Sequence, residues 1–126
     1  MKTLITARFD KSYIPLLETI TTDYSFDGYG VSGLIMPTEQ LIEKLQGVEL
    51  LISEFESINQ EVLDSVDSLK IIVCCRNEAF ASVDIDAATA KGIPVLRAGG
   101  RNAIAVAEHT IALLMCVSKN MSLTDH

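Results

Sequence analysis

The sequence predicts an α/β protein built on a parallel sheet, and three observations carry that expectation. Apolar runs lacking polar alternation, at residues 48–52, 69–75 and 93–96, read as strands buried on both faces. Segments with apolar residues at helical spacing stand between them, joined by short connections. The chain has 126 residues, 48% hydrophobic and 21% charged, enough for one core, and no uncharged apolar stretch reaches the roughly eighteen residues of a membrane span.

Taken in order, residues 2–9 are β-prone and end at Asp10, a residue type that starts helices. Residues 12–22 place Ile14, Leu16, Leu17 and Ile20 at helical spacing, with Pro15 confined to the first turn because its ring blocks deeper positions. The turn-rich residues 23–33 leave room for one short aromatic strand. Pro37, Thr38 and Glu39 open a second helix carrying Leu41, Ile42 and Leu45 and closed by Gly47. A short buried strand at 48–52 leads to Ser53 and Glu54. Residues 59–66 form a third helix with Asn59 as its cap, and 69–75 is the most β-branched strand. Residues 84–91 form a fourth helix stopped by Gly92, and the strand 93–96 follows at once. Residues 102–121 read as a last helix of about five turns. Strict alternation of strand and helix argues a flavodoxin-like three-layer fold with a parallel sheet of about five strands.

A formal net charge of -7 leaves no basic face for nucleic acid or for an anionic membrane surface. Cys74 and Cys75 are adjacent in an apolar run, and with Cys116 they make an odd set, read as reduced, buried thiols of a cytoplasmic protein. The N-terminus reads as a first strand and not as a signal peptide.

In an open parallel sheet ligands lie at the carboxyl ends of strands, which here means Asp10, residues 54–57, 76–82 and 97–102. Asp10 and Glu54 invite comparison with a phosphoacceptor receiver domain. Such domains use paired acids after the first strand, a threonine or serine after the fourth and a lysine after the fifth, whereas Asp10 is single and Arg76 and Arg97 hold the later places. Gly28, Gly30 and Gly33 spell G-x-G-x-x-G, with Glu54 following at about the fingerprint distance. The expected context is wrong, because the helix is expected no earlier than Pro37, so the glycines read as a loop. Residues 76–82, RNEAFAS, join one cation to several free amides and suit a small carboxylate; pairing of Arg76 with Glu78 or Glu54 as surface electrostatics explains the residue types equally well. Asn102 is a good helix cap beside Arg101, another anion donor. His109 lies on the apolar last helix and His126 at the terminus. Neither has a nucleophile to serve, and no metal-ligand spacing is present, so residue types alone give a fold and an anion-friendly edge but no reaction.

Residues 83–121, VDIDAATAKGIPVLRAGGRNAIAVAEHTIALLMCVSKNM, resemble the D-isomer-specific 2-hydroxyacid dehydrogenases. That family's substrate domain ends in a D-x-x-A-A-x-x-x-G-I-P-V strand, a P-G-x-N-type turn, in which this chain has Gly99 where many members have proline, and a V-A-E-H/F-T-x-x-L/M helix. The likeness extends upstream to residue 48, and the arginine after the fourth strand places it nearest a phosphoglycerate-dehydrogenase-like branch. The resemblance implies that residues 1–101 form the substrate-binding domain of an NAD-dependent oxidoreductase acting on a D-2-hydroxy acid or 2-keto acid. Residues 102–126 would be an interdomain helix leading to a cofactor domain outside this chain. The glycine fingerprint, the substrate-orienting arginine and the histidine and glutamate acid/base pair would lie there, so the chain alone is expected to bind no dinucleotide and to be inactive. Carried over by position, Arg76, Asn77, Glu78, Ala79 and Phe80 form the substrate-carboxylate loop, acting mainly through backbone amides, although the loop lacks the family's usual glycines. Asn102, Ala105 and Val106 fall near the nicotinamide end of the cofactor. The alternative is a stand-alone small-molecule-binding or protein-interaction module. The last helix is apolar over more than the usual stripe. One face is expected on this domain's sheet and the other against the cofactor domain or a second copy, which makes a homodimer through residues 102–121.

Overall fold

The computed structural model describes residues 1–120. Its core is a five-stranded parallel sheet in the order β2-β1-β3-β4-β5, formed by β1 (Thr3–Ile5), β2 (Tyr24–Phe26), β3 (Leu50–Ser53), β4 (Ile71–Cys74) and β5 (Val95–Arg97). The helices are α1 (Ile14–Leu17), α2 (Tyr29–Ser32), α3 (Thr38–Leu45), α4 (Gln60–Asp64), α5 (Ile85–Ala90) and α6 (Ala103–Ser118), with 3-10 turns at Lys11–Tyr13 and Ala79–Ala81. The α/β class and the five parallel strands match the sequence expectation.

Local chemistry explains the boundaries. The Asn59 side chain accepts from the Val62 amide at 3.0 Å and the Asp84 side chain from the Ala87 amide at 3.0 Å, so both caps are used as residue type predicts. Gly47 and Gly92 take positive φ, 75° and 69°, to end their helices. The first helix is shorter than expected and stops at Leu17. The threonines beyond it bond locally instead: Thr19 Oγ1 donates to Leu16 O, and Thr21 Oγ1 to the Met1 carbonyl at the start of the chain.

One side of the sheet is closed. Leu4, Leu51, Ile72 and Cys74 point toward Leu41 and Leu45 of α3, Val62 and Leu63 of α4, and Ala87 and Ala88 of α5, all buried in one cluster. The other side, reached by strand alternation, is closed only near β1, where Ile5 is buried with Leu50 and Leu17. Toward the far edge it opens: Ile52, Ile71 and Val73 are half-buried and Leu96 is 53% exposed.

Helix α6 departs from expectation. Every one of its residues is exposed, so no face docks on the sheet. Its apolar residues encircle it and define no single docking stripe, and the turn that launches it is bonded to residue 77, not to the sheet. Cys116 is consequently exposed, against the expected buried thiol, while Cys74 is buried and Cys75 half-buried. The end expected at Met121, and His126, lie outside the described residues.

Candidate functional site

The strand order reverses between β1 and β3, and a ligand crevice is expected outside the carboxyl ends of strands at such a point. Five chain segments converge there: residues 6–8, 27–30, 54–56, 75–80 and 98–102.

The glycine segment is nearer a dinucleotide motif than its sequence context implied, and it still does not work as one. β2 runs through Asp27 and Gly28 directly into α2, so a helical turn begins at Tyr29 and not only at Pro37. A pyrophosphate needs the first amides of such a turn free. Here the Gly28 amide donates to Asp27 Oδ1 at 2.8 Å, the Tyr29 amide to Glu56 Oε1 at 2.9 Å and the Gly30 amide to Thr6 O at 2.7 Å. The glycines serve packing instead. A Cβ on Gly30 would sit 2.1 Å from the Ala7 carbonyl oxygen, and one on Gly28, which already holds φ 60°, would meet Glu56 Oε1 at 2.7 Å. This turn thus has no free amides for a pyrophosphate.

Sequence reasoning placed Glu56 only within the strand-end residues 54–57 and singled out Glu54 among them. Its side chain is fully buried, and it accepts from Thr6 Oγ1 at 2.7 Å as well as from Tyr29, tying the ends of β1 and β3 to the β2–α2 turn. Only the three-dimensional meeting of residues 6, 29 and 56 gives this carboxylate partners, and partners are what make its burial tolerable.

The sequence-predicted loop lies where it was expected. Among the described residues, the backbone amides of residues 76–80 donate to no acceptor. Asn77 joins this loop to the turn before α6: its side chain donates to Asn102 Oδ1 at 2.7 Å and accepts from the Gly100 amide at 3.1 Å, while its carbonyl accepts from Arg97 at 2.7 Å. Asn77 and Asn102 are therefore brought together. The Asn102 side chain makes this bond and does not cap α6, contrary to its residue-type preference, its backbone at φ -115° and ψ 8° lying outside the extended region that capping residues adopt. Ala79 is buried, Phe80 is 71% exposed, and Ala105 and Val106 lie exposed on the first turns of α6.

Neither expected partner holds Arg76. Glu78 meets Arg97 at 3.7 Å and Glu54 meets Arg101 at 3.3 Å. Arg76 instead lies over the Phe55 ring, 5.1 Å from its centroid, and Arg8 lies over the Tyr29 ring at 5.3 Å. Sequence reading named neither ring, nor Arg8. Burial first, then the charges of Glu54 and Cys74, push the Cys75 thiol pKa up, with Arg101 opposing only in part, which disfavours the thiolate. A groove of about 740 Å³ runs beyond the loop along the open β5 edge, lined by Phe80, Ile85, Ile93, Pro94 and Val95. It holds no acid–base pair beyond the contact of Glu78 with Arg97.

Comparison with known proteins adds three findings. Residues 4–125 match the family described as D-isomer specific 2-hydroxyacid dehydrogenase, catalytic domain. The chain is 32% identical to the 2-hydroxyacid dehydrogenase homolog of Haemophilus influenzae, covering 92% of this chain and 34% of that one, and 33% identical to the D-3-phosphoglycerate dehydrogenase of Archaeoglobus fulgidus over 71% and 17%. The cofactor (NAD+)-bound 3-phosphoglycerate dehydrogenase of Entamoeba histolytica superposes with a TM-score of 0.73 at 21% identity, over 92% of this chain and 38% of its own. The chain spans at most 34% of the length of these curated relatives. Among the described residues no helix is long and apolar enough to cross a membrane.

Proposed function

The chain belongs to the D-isomer-specific 2-hydroxyacid dehydrogenase family, and from that premise we propose that it is the substrate-binding part of an NAD-dependent oxidoreductase acting on a D-2-hydroxy acid or its 2-keto counterpart. The observation that supports this most is the loop of residues 76–80, whose amides donate to no acceptor among the described residues at the carboxyl edge of the sheet. A carboxylate accepts from such amides without any titrating side chain, and fixing it orients the carbon next to it. Asn77 passes the loop's position to the turn that begins α6, so substrate and the start of the interdomain helix sit in one rigid unit.

NAD belongs, in this proposal, to the part of the whole protein outside residues 1–126, with Asn102, Ala105 and Val106 facing its nicotinamide end. Alone, the chain holds substrate and transfers no hydride. Helix α6 packs against that cofactor domain and pairs copies as a homodimer, in a cytoplasmic enzyme whose thiols stay reduced.

The test is a titration of isotope-labelled chain with pyruvate, followed through backbone amide shifts. Residues 76–80 are expected to move first and most. A response confined to other residues, with this loop silent, would remove the substrate role.

A further inference from the structure

At the β2 end of the sheet, the segments following β1 and β2 enclose a separate cavity of about 400 Å³, lined by Ala7, Phe9, Lys11, Phe26, Gly30 and Val31. β4, which leads into the loop of residues 76–80, lies two strands from β1 on the opposite side from β2, a separation of roughly 10 Å between the strands alone. Two half-buried rings wall the cavity: Phe9 and Phe26 stand with centroids 5.6 Å apart and planes inclined at 55°, and Tyr24 steadies Phe26 edge to face at 5.7 Å. The backbones behind them are locked together. The Gly30 amide donates to Thr6 O at 2.7 Å, and Gly30 lies so near Ala7 that a Cβ would sit 2.1 Å from the Ala7 carbonyl oxygen. Lys11 is the one charged residue of the lining, and among the described residues its ammonium has no acidic partner. The acids nearest in the chain are engaged elsewhere: Asp10 accepts from the Ser12 amide at 2.9 Å, Glu18 from the Tyr24 hydroxyl at 3.0 Å, and Asp27 pairs with Lys44 at 2.8 Å. An unneutralised ammonium on an aromatic cavity suits a ligand that carries one flat ring and one anionic group.

We propose that this cavity binds a small aryl carboxylate, its ring against Phe9 and Phe26 and its carboxylate on Lys11, independently of the loop of residues 76–80. The rings supply most of the contact area, and the ammonium selects the acid over its neutral counterpart. Only Lys11 gives the cavity a sign, so charge preference is the property that defines the site. Phenylalanines that merely complete the cover over β1 and β2, with a solvated lysine beside them, would show the same contacts and no such preference, and the experiment separates the two.

The probes are phenylacetate, phenylacetamide and acetate: the first two share a shape and differ in charge, and the third keeps the charge and lacks the ring. Each is titrated at neutral pH into the isotope-labelled chain and followed through backbone amide shifts. Phenylacetate is expected to bind saturably, moving residues 7–11, 26 and 29–31 while residues 76–80 stay still. It should bind about three to five times more tightly than phenylacetamide, the worth of one partly exposed ion pair, and acetate should give no saturable shift at these residues. Lys11→Gln should level the acid and the amide, and Lys11→Glu should reverse their order. Both variants should keep the folded amide spectrum, since Lys11 is exposed and its side chain joins no ion pair among the described residues. Saturating pyruvate should leave bound phenylacetate in place. Absence of saturable binding, equal affinity for acid and amide in the unaltered chain, or a preference that survives Lys11→Gln would overturn the site. Phenylacetate shifts centred on residues 76–80, or displacement by pyruvate, would overturn it too by placing the aryl acid on the substrate loop. None of these results touches the reading of residues 76–80, which stands or falls on their own response to pyruvate.

Discussion

The closed side of the sheet and helix α6 are built from the same kinds of residue and have opposite fates. Leu41, Leu45, Leu51, Val62, Leu63 and Ile72 are at most 1% exposed, whereas Ile104, Leu114 and Val117 of α6 are 77%, 67% and 76% exposed. The contrast teaches that apolar content sets how much a segment gains from burial and not whether it finds a partner. α3, α4 and α5 present narrow stripes that fit one sheet face. α6 is apolar all round and leaves the sheet through a turn bonded to Asn77.

The sharpest way to break this comparison is to truncate one side chain in each region. Leu63→Ala should cost about 3 kcal/mol in urea unfolding, within the roughly 2–5 kcal/mol span for fully buried leucines, because the neighbours cannot close the cavity. A loss below about 1 kcal/mol would mean that this layer is looser than its burial indicates.

Glu56 tests the boundary between the closed layer and the crevice. Glu56→Ala should lower stability by about 2 kcal/mol, since Thr6 Oγ1 and the Tyr29 amide lose their acceptor inside the protein. Amide shifts should spread to residues 28–32. Effects restricted to residue 56 and its chain neighbours would show that the carboxylate does not anchor the glycine turn.

Leu114→Ala is the counterpart of the first substitution and should stay within about 0.5 kcal/mol of the unaltered chain at low concentration. A cost rising with protein concentration would show α6 burying itself against a second copy, as proposed. A cost as large as that of Leu63→Ala at every concentration would mean that the helix docks on its own sheet.

The smallest effect is electrostatic. Lys44, hydrogen-bonded to Asp27 at 2.8 Å, and then the Gly28 amide hold the Asp27 carboxyl below its ordinary pKa. A carboxylate with a depressed folded pKa contributes stability above its unfolded pKa, near 4, and loses it as pH falls through the lower folded value. Asp27→Asn should therefore lower stability slightly at neutral pH and flatten the acid side of the profile, the two proteins converging below the folded pKa. With 35% of the Asp27 side chain exposed, added salt should shrink the difference further.

Much of the fold was legible because it is written in local chemistry. Caps at Asn59 and Asp84, stops at Gly47 and Gly92, and β-branched runs such as residues 71–74 act through neighbours a few positions away. The loop of residues 76–80 was legible for the same reason, lying at a strand end. The glycine segment was half legible: its residues announced a tight turn, but the amides' occupation by Asp27, Glu56 and Thr6 depends on strands up to fifty positions apart in the chain.

By itself, then, the sequence determined the alternation of strand and helix, the family and the place of the loop of residues 76–80 at a strand end, since each is set by residue types close together along the chain. Tertiary structure alone decided that Glu56 and not Glu54 is the buried anchor, that Arg8 and Arg76 share one aromatic platform, and that α6 stands clear of the sheet. Burial and charge pairing are properties of which segments meet, and segments that meet from distant positions leave no periodic mark in any one of them.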